Sequence, residues 1–167
     1  PGGRAGKMIE AVAFDLDDTL FLERDYVRSG FRAVDAHLRA HLDPRRDWFG
    51  ELWRDFEQGV RGDAFDRVLR AACGQAPGEL VAQVVSVYRE HCPDLRPCDD
   101  VPAALRDLRL PPEKMGVITD GPAVAQRRKF EALGLQEWFA HFICTDDWGL
   151  DYRKPHPRAF EEFERLA

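Results

Sequence analysis

From residue 22 to residue 92 the chain carries one apolar helical stripe after another and no segment patterned like a strand. Val27, Phe31, Val34, Leu38 and Leu42 recur at steps of three and four, the period of a helix with one buried face. Asp43-Pro44 ends that pattern, because the residue before a proline is pushed out of helical backbone. Trp48, Phe49, Leu52, Trp53 and Phe56 form a second face. Phe65, Val68, Leu69 and Ala72 form a third, closed by Gly74; Leu80, Val81, Val84, Val85 and Tyr88 form a fourth, stopped by Pro93. With no strand among them, these stripes must pack on each other.

On both sides of this block the pattern changes. Met8 to Phe14 is short and mostly apolar, the signature of a buried strand in a parallel sheet. After the block, Asp99 or Asp100 caps a helix running to about Arg109, with Pro102 in its first turn, and Pro111-Pro112 breaks it. Met115 to Thr119 is a second apolar strand. A helix from about Pro122 ends at Leu133-Gly134, with Gly134 as its stop. Phe142 to Thr145 is a third strand, and Pro155 to Leu166 contains a last helix carrying Phe160, Phe163 and Leu166. This order predicts an α/β fold: a Rossmann-like core of parallel strands with an inserted all-helical unit. The predicted division is 8–21 with 93–167 for the core and 22–92 for the insert.

Composition excludes several classes of function. A net charge of −6 is wrong for a protein that binds nucleic acid through a basic surface. The basic clusters Arg45-Arg46 and Arg127-Arg128-Lys129 read as solvated helix faces. No apolar run approaches the roughly 20 residues that span a bilayer. No signal-peptide pattern is present, and the first seven residues, PGGRAGK, read as a flexible tail. Cys73, Cys92, Cys98 and Cys144 include no CxxC pair and read as reduced thiols of a cytoplasmic protein. His91, Cys92 and Cys98 fit no common zinc spacing, and His37 and His41, four apart on a polar face, read as exposed histidines.

In open parallel sheets ligands bind at the carboxyl ends of the strands. Three polar clusters fall there: Asp15, Asp17, Asp18 and Thr19 after the first strand, Thr119-Asp120-Gly121 after the second, and the segment around Lys154 after the third. Alone, each is an ordinary turn. Three carboxylates at the mouth of a buried strand repel each other, however, and a cation or polar ligand among them relieves that cost.

In this order the clusters resemble the haloacid dehalogenase-like hydrolase superfamily. Asp15-Leu16-Asp17-Asp18-Thr19 matches its Asp-x-Asp-x-Thr motif, Val117-Ile118-Thr119-Asp120-Gly121 its second motif, and Lys154-Pro155-His156-Pro157 its third. The resemblance covers about residues 8 to 167 and implies that the helical block is the family's cap, which closes over the site and supplies specificity. The family's fourth motif, an acidic cluster after a further strand, has no counterpart up to Ala167, and the sequence reads as cut short before it.

The resemblance implies that Asp15 is a nucleophile forming an aspartyl-phosphate. It implies a magnesium ion held by the Asp15 carboxylate and the Asp17 backbone carbonyl. Lys154 then supplies positive charge, and the Thr119 hydroxyl with the N–H groups of Asp120 and Gly121 binds the phosphoryl oxygens. Asp17 protonates the leaving oxygen and then activates water. A departing halide needs no such acid, and the family's dehalogenases lack this aspartate, so Asp17 points to phosphoryl transfer. Asp18 reads as bracing the loop. Asp146 and Asp147 either orient Lys154 or form an exposed acidic turn, and Tyr26 and Arg28 either touch substrate or serve packing and the surface. The implied activity is magnesium-dependent hydrolysis of a small phosphorylated metabolite, a nucleotide or sugar phosphate. A phosphomutase of the same fold and an inactive binding protein are the alternatives.

Overall fold

The computed structural model describes residues 9–167. Met8 and the PGGRAGK segment lie outside the described residues. Three short strands, β1 (Val12–Phe14), β2 (Met115–Thr119) and β3 (His141–Cys144), pair in parallel in the order β1-β2-β3. Val12 pairs with Met115, Phe14 with Val117 and Thr119 with Cys144. The central strand is buried at every position, which is why it reads as a continuous apolar run with no alternation.

The first strand is shorter than the sequence predicts. Its partner begins only at Met115, because Pro112–Lys114 forms a 3₁₀ turn, so nothing upstream of Val12 finds a ladder. Ile9 is correspondingly exposed. Thr145, expected in the third strand, instead opens a 3₁₀ turn, Thr145–Asp147.

The described chain divides into two compact units: the stretch up to Leu22 together with Arg96–Ala167, and Glu23–Leu95. The second unit is four helices, α1 (Glu23–His41), α2 (Trp48–Glu57), α3 (Ala64–Cys73) and α4 (Gly78–Glu90). Their apolar stripes meet in one core around Phe31, Val34, Leu38, Trp48, Leu52, Leu69 and Val84. Phe31 lies edge-on to Phe56 and Phe65. The buried Trp48 indole donates to the Asp43 carbonyl at 3.0 Å, satisfying its one polar atom. Leu42, counted with the apolar stripe, is exposed because α1 ends one residue earlier. His37 is half-buried and its ring stacks on His41 at 4.4 Å, so it is less open than expected.

The first unit adds α5 (Val101–Leu108), α6 (Ala123–Leu133) and α7 (Arg158–Leu166). Helix α7 packs on the sheet through Phe163, whose ring fills the space where a side chain on Gly116 would stand. Helix α6 ends at Gly134, whose φ of +66° suits glycine in the left-handed stop. No helix among the described residues is long and apolar enough to cross a membrane.

Candidate active site

The carboxyl ends of all three strands converge on one cluster within the first unit. Immediately after β1 the chain carries Asp15, then turns so that Leu16, Leu20 and Phe21 are fully buried. Burying those three fixes the loop that presents the carboxylates. Asp18 supports the turn with a φ of +52°, a left-handed conformation that aspartate tolerates better than most residues.

The Lys154 ammonium lies 2.5 Å from Oδ1 of Asp15 and donates to the Ile118 carbonyl at 3.1 Å. The Leu16 N–H also donates to Asp15 Oδ1, at 2.8 Å. Asp15 therefore keeps one oxygen, Oδ2, to which no donor comes among the described residues. Lys154 is held in turn by Asp120: its backbone N–H donates to Asp120 Oδ1 at 3.2 Å, and the buried Thr145 hydroxyl donates to the same oxygen at 2.6 Å. Asp120 was expected to contribute only its N–H; its carboxylate ties the ends of β2 and β3 to the lysine loop.

Neither the Asp146 nor the Asp147 side chain bonds to Lys154, against the first of their two readings. Asp146 takes a two-pronged bond from Arg153, both contacts at 2.7 Å, and accepts the Gly121 N–H at 3.1 Å. Asp147 pairs with Arg127 at 2.5 Å. The Arg153 guanidinium, with help from the Gly121 N–H, holds the Asp146 carboxyl below the usual carboxylate range. The Gly121 N–H, expected to face phosphate, is thus committed to Asp146 here. Gly121 itself has a φ of +118°, which reserves the position for glycine.

Asp17 has a second cation of its own. Lys129 donates to Asp17 Oδ1 at 2.7 Å, and the Gln126 amide donates to Oδ2 at 2.8 Å. The same amide nitrogen lies 2.6 Å from both the Thr119 hydroxyl and the Asp120 carbonyl. Gln126 is 1% exposed and Lys129 6%. The reading of Arg127-Arg128-Lys129 as a solvated face therefore fails at Lys129. Positions 126, 129, 130 and 133 share the inward stripe of α6 with Phe130 and Leu133, a spacing visible in the sequence. Tyr26 and Arg28 have roles inside the helical unit: the buried Tyr26 hydroxyl lies 3.3 Å from the Tyr88 carbonyl, and the Arg28 guanidinium sits over the Trp53 ring at 5.2 Å.

Among the described residues no three His, Cys, Asp or Glu side chains gather to hold a metal by themselves. What the loop offers is the second Asp15 oxygen and backbone carbonyls. These are oxygen donors, and water and a bound phosphate would complete a shell. That set fits a hard cation such as magnesium and does not fit a soft one.

Against known proteins, residues 9–166 match the family model of the haloacid dehalogenase-like hydrolases. A curated relative, the glyceraldehyde 3-phosphate phosphatase of Methanopyrus kandleri, is 32% identical over 95% of this chain and 70% of its own length. A HAD-hydrolase of Bacillus subtilis bound to magnesium has a TM-score of 0.59 at 19% identity, covering 96% of this chain and 73% of that one. A 2-haloacid dehalogenase from Pseudomonas syringae has a TM-score of 0.55 at 26% identity, over 95% and 72%.

Proposed function

The chain belongs to the haloacid dehalogenase-like hydrolases, and from that premise we propose that it is a magnesium-dependent phosphatase. The substrate we propose is a small sugar phosphate of the glyceraldehyde 3-phosphate kind, hydrolysed through an aspartyl-phosphate. The observation that carries this reading is that two carboxylates two residues apart each have their own lysine: Asp15 has Lys154 and Asp17 has Lys129. Each carboxylate is thus held as a separate group with its own orientation: Asp15 keeps one oxygen to attack with, and Asp17 stands two residues on to serve the leaving group.

In the first step an Asp15 oxygen forms a bond to phosphorus as the ester P–O bond breaks. Asp17 gives its proton to the departing alkoxide. In the second step water attacks the phosphorus, its proton passes to Asp17, and inorganic phosphate leaves with Asp15 restored. Lys154, held on the Ile118 carbonyl and Asp120, offsets negative charge at the nucleophile without having to reorganise. The Thr119 hydroxyl and the Asp120 N–H bind the phosphoryl oxygens; Gly121 joins them only when its N–H leaves Asp146. Asp15 and the Asp17 carbonyl would hold magnesium, which when bound supplies charge that neutralises the phosphoryl dianion. We propose the helical unit as the specificity cap, with the core on either side of it in the sequence.

Asp17 favours this reading over dehalogenation, since a leaving halide takes no proton. A phosphomutase would pass the phosphoryl group to a sugar hydroxyl instead of water. The test is phosphate release from glyceraldehyde 3-phosphate and a panel of sugar phosphates and nucleotides, with magnesium and with chelator, by the full-length protein and its Asp15→Asn variant. Magnesium-dependent release that the variant lacks supports the phosphatase. A phosphorylated isomer as product, without free phosphate, overturns it in favour of the mutase; chloride release from a 2-haloacid without phosphate release overturns it in favour of the dehalogenase.

A further inference from the structure

Resting on the phosphatase reading above, we infer that Lys129 and Gln126, one turn apart on α6, are positioning residues that hold the Asp17 carboxylate for proton transfer. Neither was assigned a part in the reaction. Three observations carry the inference. The two side chains take one Asp17 oxygen each, at 2.7 and 2.8 Å, so the carboxylate cannot rotate about its own axis without losing both bonds. Both helix positions are almost wholly buried, and a buried lysine in a helix costs stability that a leucine or methionine would not. Finally, the Gln126 amide reaches beyond Asp17 to the Thr119 hydroxyl and the Asp120 carbonyl, both at 2.6 Å. One side chain thus ties the proton carrier to the strand end expected to bind phosphate.

A carboxylate oxygen has two lone pairs, and the clamp uses one on each. Each oxygen keeps one acceptor site, and the clamp fixes the direction of both. When Asp17 is protonated its O–H bond lies along such a direction, towards the leaving oxygen. During the first step that proton moves to the alkoxide as the P–O bond breaks. During the second a water proton arrives at the same place. Lys129 and Gln126 touch neither substrate nor reacting atom; they act through Asp17.

The leaving group separates this role from simple support of the fold. An alkoxide needs the proton, whereas nitrophenolate leaves without one. The value of kcat/KM covers the steps up to leaving-group departure only, so it reports this difference directly. We expect Lys129→Met to lower kcat/KM for glyceraldehyde 3-phosphate about 10- to 100-fold, a part of what a general acid supplies, and for 4-nitrophenyl phosphate less than about threefold. Gln126→Ala, which also loosens Thr119 and the Asp120 carbonyl, should lower both esters but glyceraldehyde 3-phosphate the more, and it carries the test if Lys129→Met does not fold, as judged by circular dichroism. An equal fall for both esters, or no fall for either, overturns the inference and leaves the phosphatase standing. An unmodified full-length protein that releases no phosphate from either ester overturns both.

Independently of turnover, Asp17→Ala should lower the urea midpoint by removing the carboxylate from beside the buried Lys129 ammonium, and adding Lys129→Met should raise it again. Strictly additive losses would mean that the two side chains are not coupled, and would overturn the inference.

Discussion

The Lys154 ammonium reaches Asp15 Oδ1 at 2.5 Å across 139 positions of sequence, and it is held there by the Ile118 carbonyl and, through its own backbone N–H, by Asp120. This one side chain joins the ends of β1 and β2, and Asp120 links that junction to the end of β3 through Thr145. Lys154→Met should lower kcat at least about a hundredfold, the scale for losing one fixed electrostatic contact to a transition state. Lys154→Arg should recover little, because a planar guanidinium does not fit a site built for a compact ammonium. Steady-state kinetics on both variants checks this; near-normal kcat in Lys154→Met would remove the lysine from the reaction.

Asp120 depends on Thr145. Both threonines of the cluster, Thr119 and Thr145, are fully buried, and the Thr145 hydroxyl is 2.6 Å from Asp120. Thr145→Val keeps the shape and removes the donor. Asp120 is half-buried and its Oδ1 keeps the Lys154 N–H, so the loss is that of one hydrogen bond to a charged group, about 1.5–3 kcal/mol. We expect a loss in that range by urea denaturation and a several-fold fall in kcat, because the lysine loop loses its anchor.

Acid should loosen the Gly121 turn. The Asp146 carboxyl sits below the usual range because Arg153 and then the Gly121 N–H stabilise its charged form. Its contribution to stability is therefore complete above the unfolded value, about 3.9, and is lost as pH falls through the lower folded value. Urea midpoints measured from pH 6 down to pH 2 should fall over that window. Asp146→Asn should be less stable at pH 6 and should fall less steeply on acidification. An unchanged slope would show that other carboxylates carry the acid response.

Gly116 should accept no side chain. A Cβ there would lie 2.6 Å from the Phe163 ring and 3.2 Å from the His141 Cβ. Gly116→Ala should cost about 1–3 kcal/mol, as overpacked cores do, and Phe163→Leu in the same chain should return part of it. Thermal unfolding of the single and double variants tests this; a neutral Gly116→Ala would mean that α7 shifts away at no cost.

Much of this was legible in the residues because it rests on short-range pattern. The stripe Val27, Phe31, Val34, Leu38 marks α1, Gly134 closes α6 where a left-handed residue is needed, and the run Met115 to Thr119 marks the strand paired on both sides. The carboxylates of the first loop, Thr119 and Lys154 stood out because each follows a strand. Lys129 did not, because it closes the run Arg127-Arg128-Lys129, and a basic triplet on a helix is usually solvated. Only its phase relative to Phe130 and Leu133 distinguished it.

The sequence by itself determined which segments are strands and helices, their order, and the polar residues that follow each strand, since backbone sterics and apolar periodicity act over a few neighbours. Tertiary structure alone decided the partners: Lys154 with Asp15, Lys129 and Gln126 with Asp17, Asp120 with Thr145, and Asp146 with Gly121 in place of Lys154. A charge or hydrogen bond depends on separation in space. Until the sheet register and the roll of α6 are set, the local sequence around Lys129 carries no record of which carboxylate it will meet.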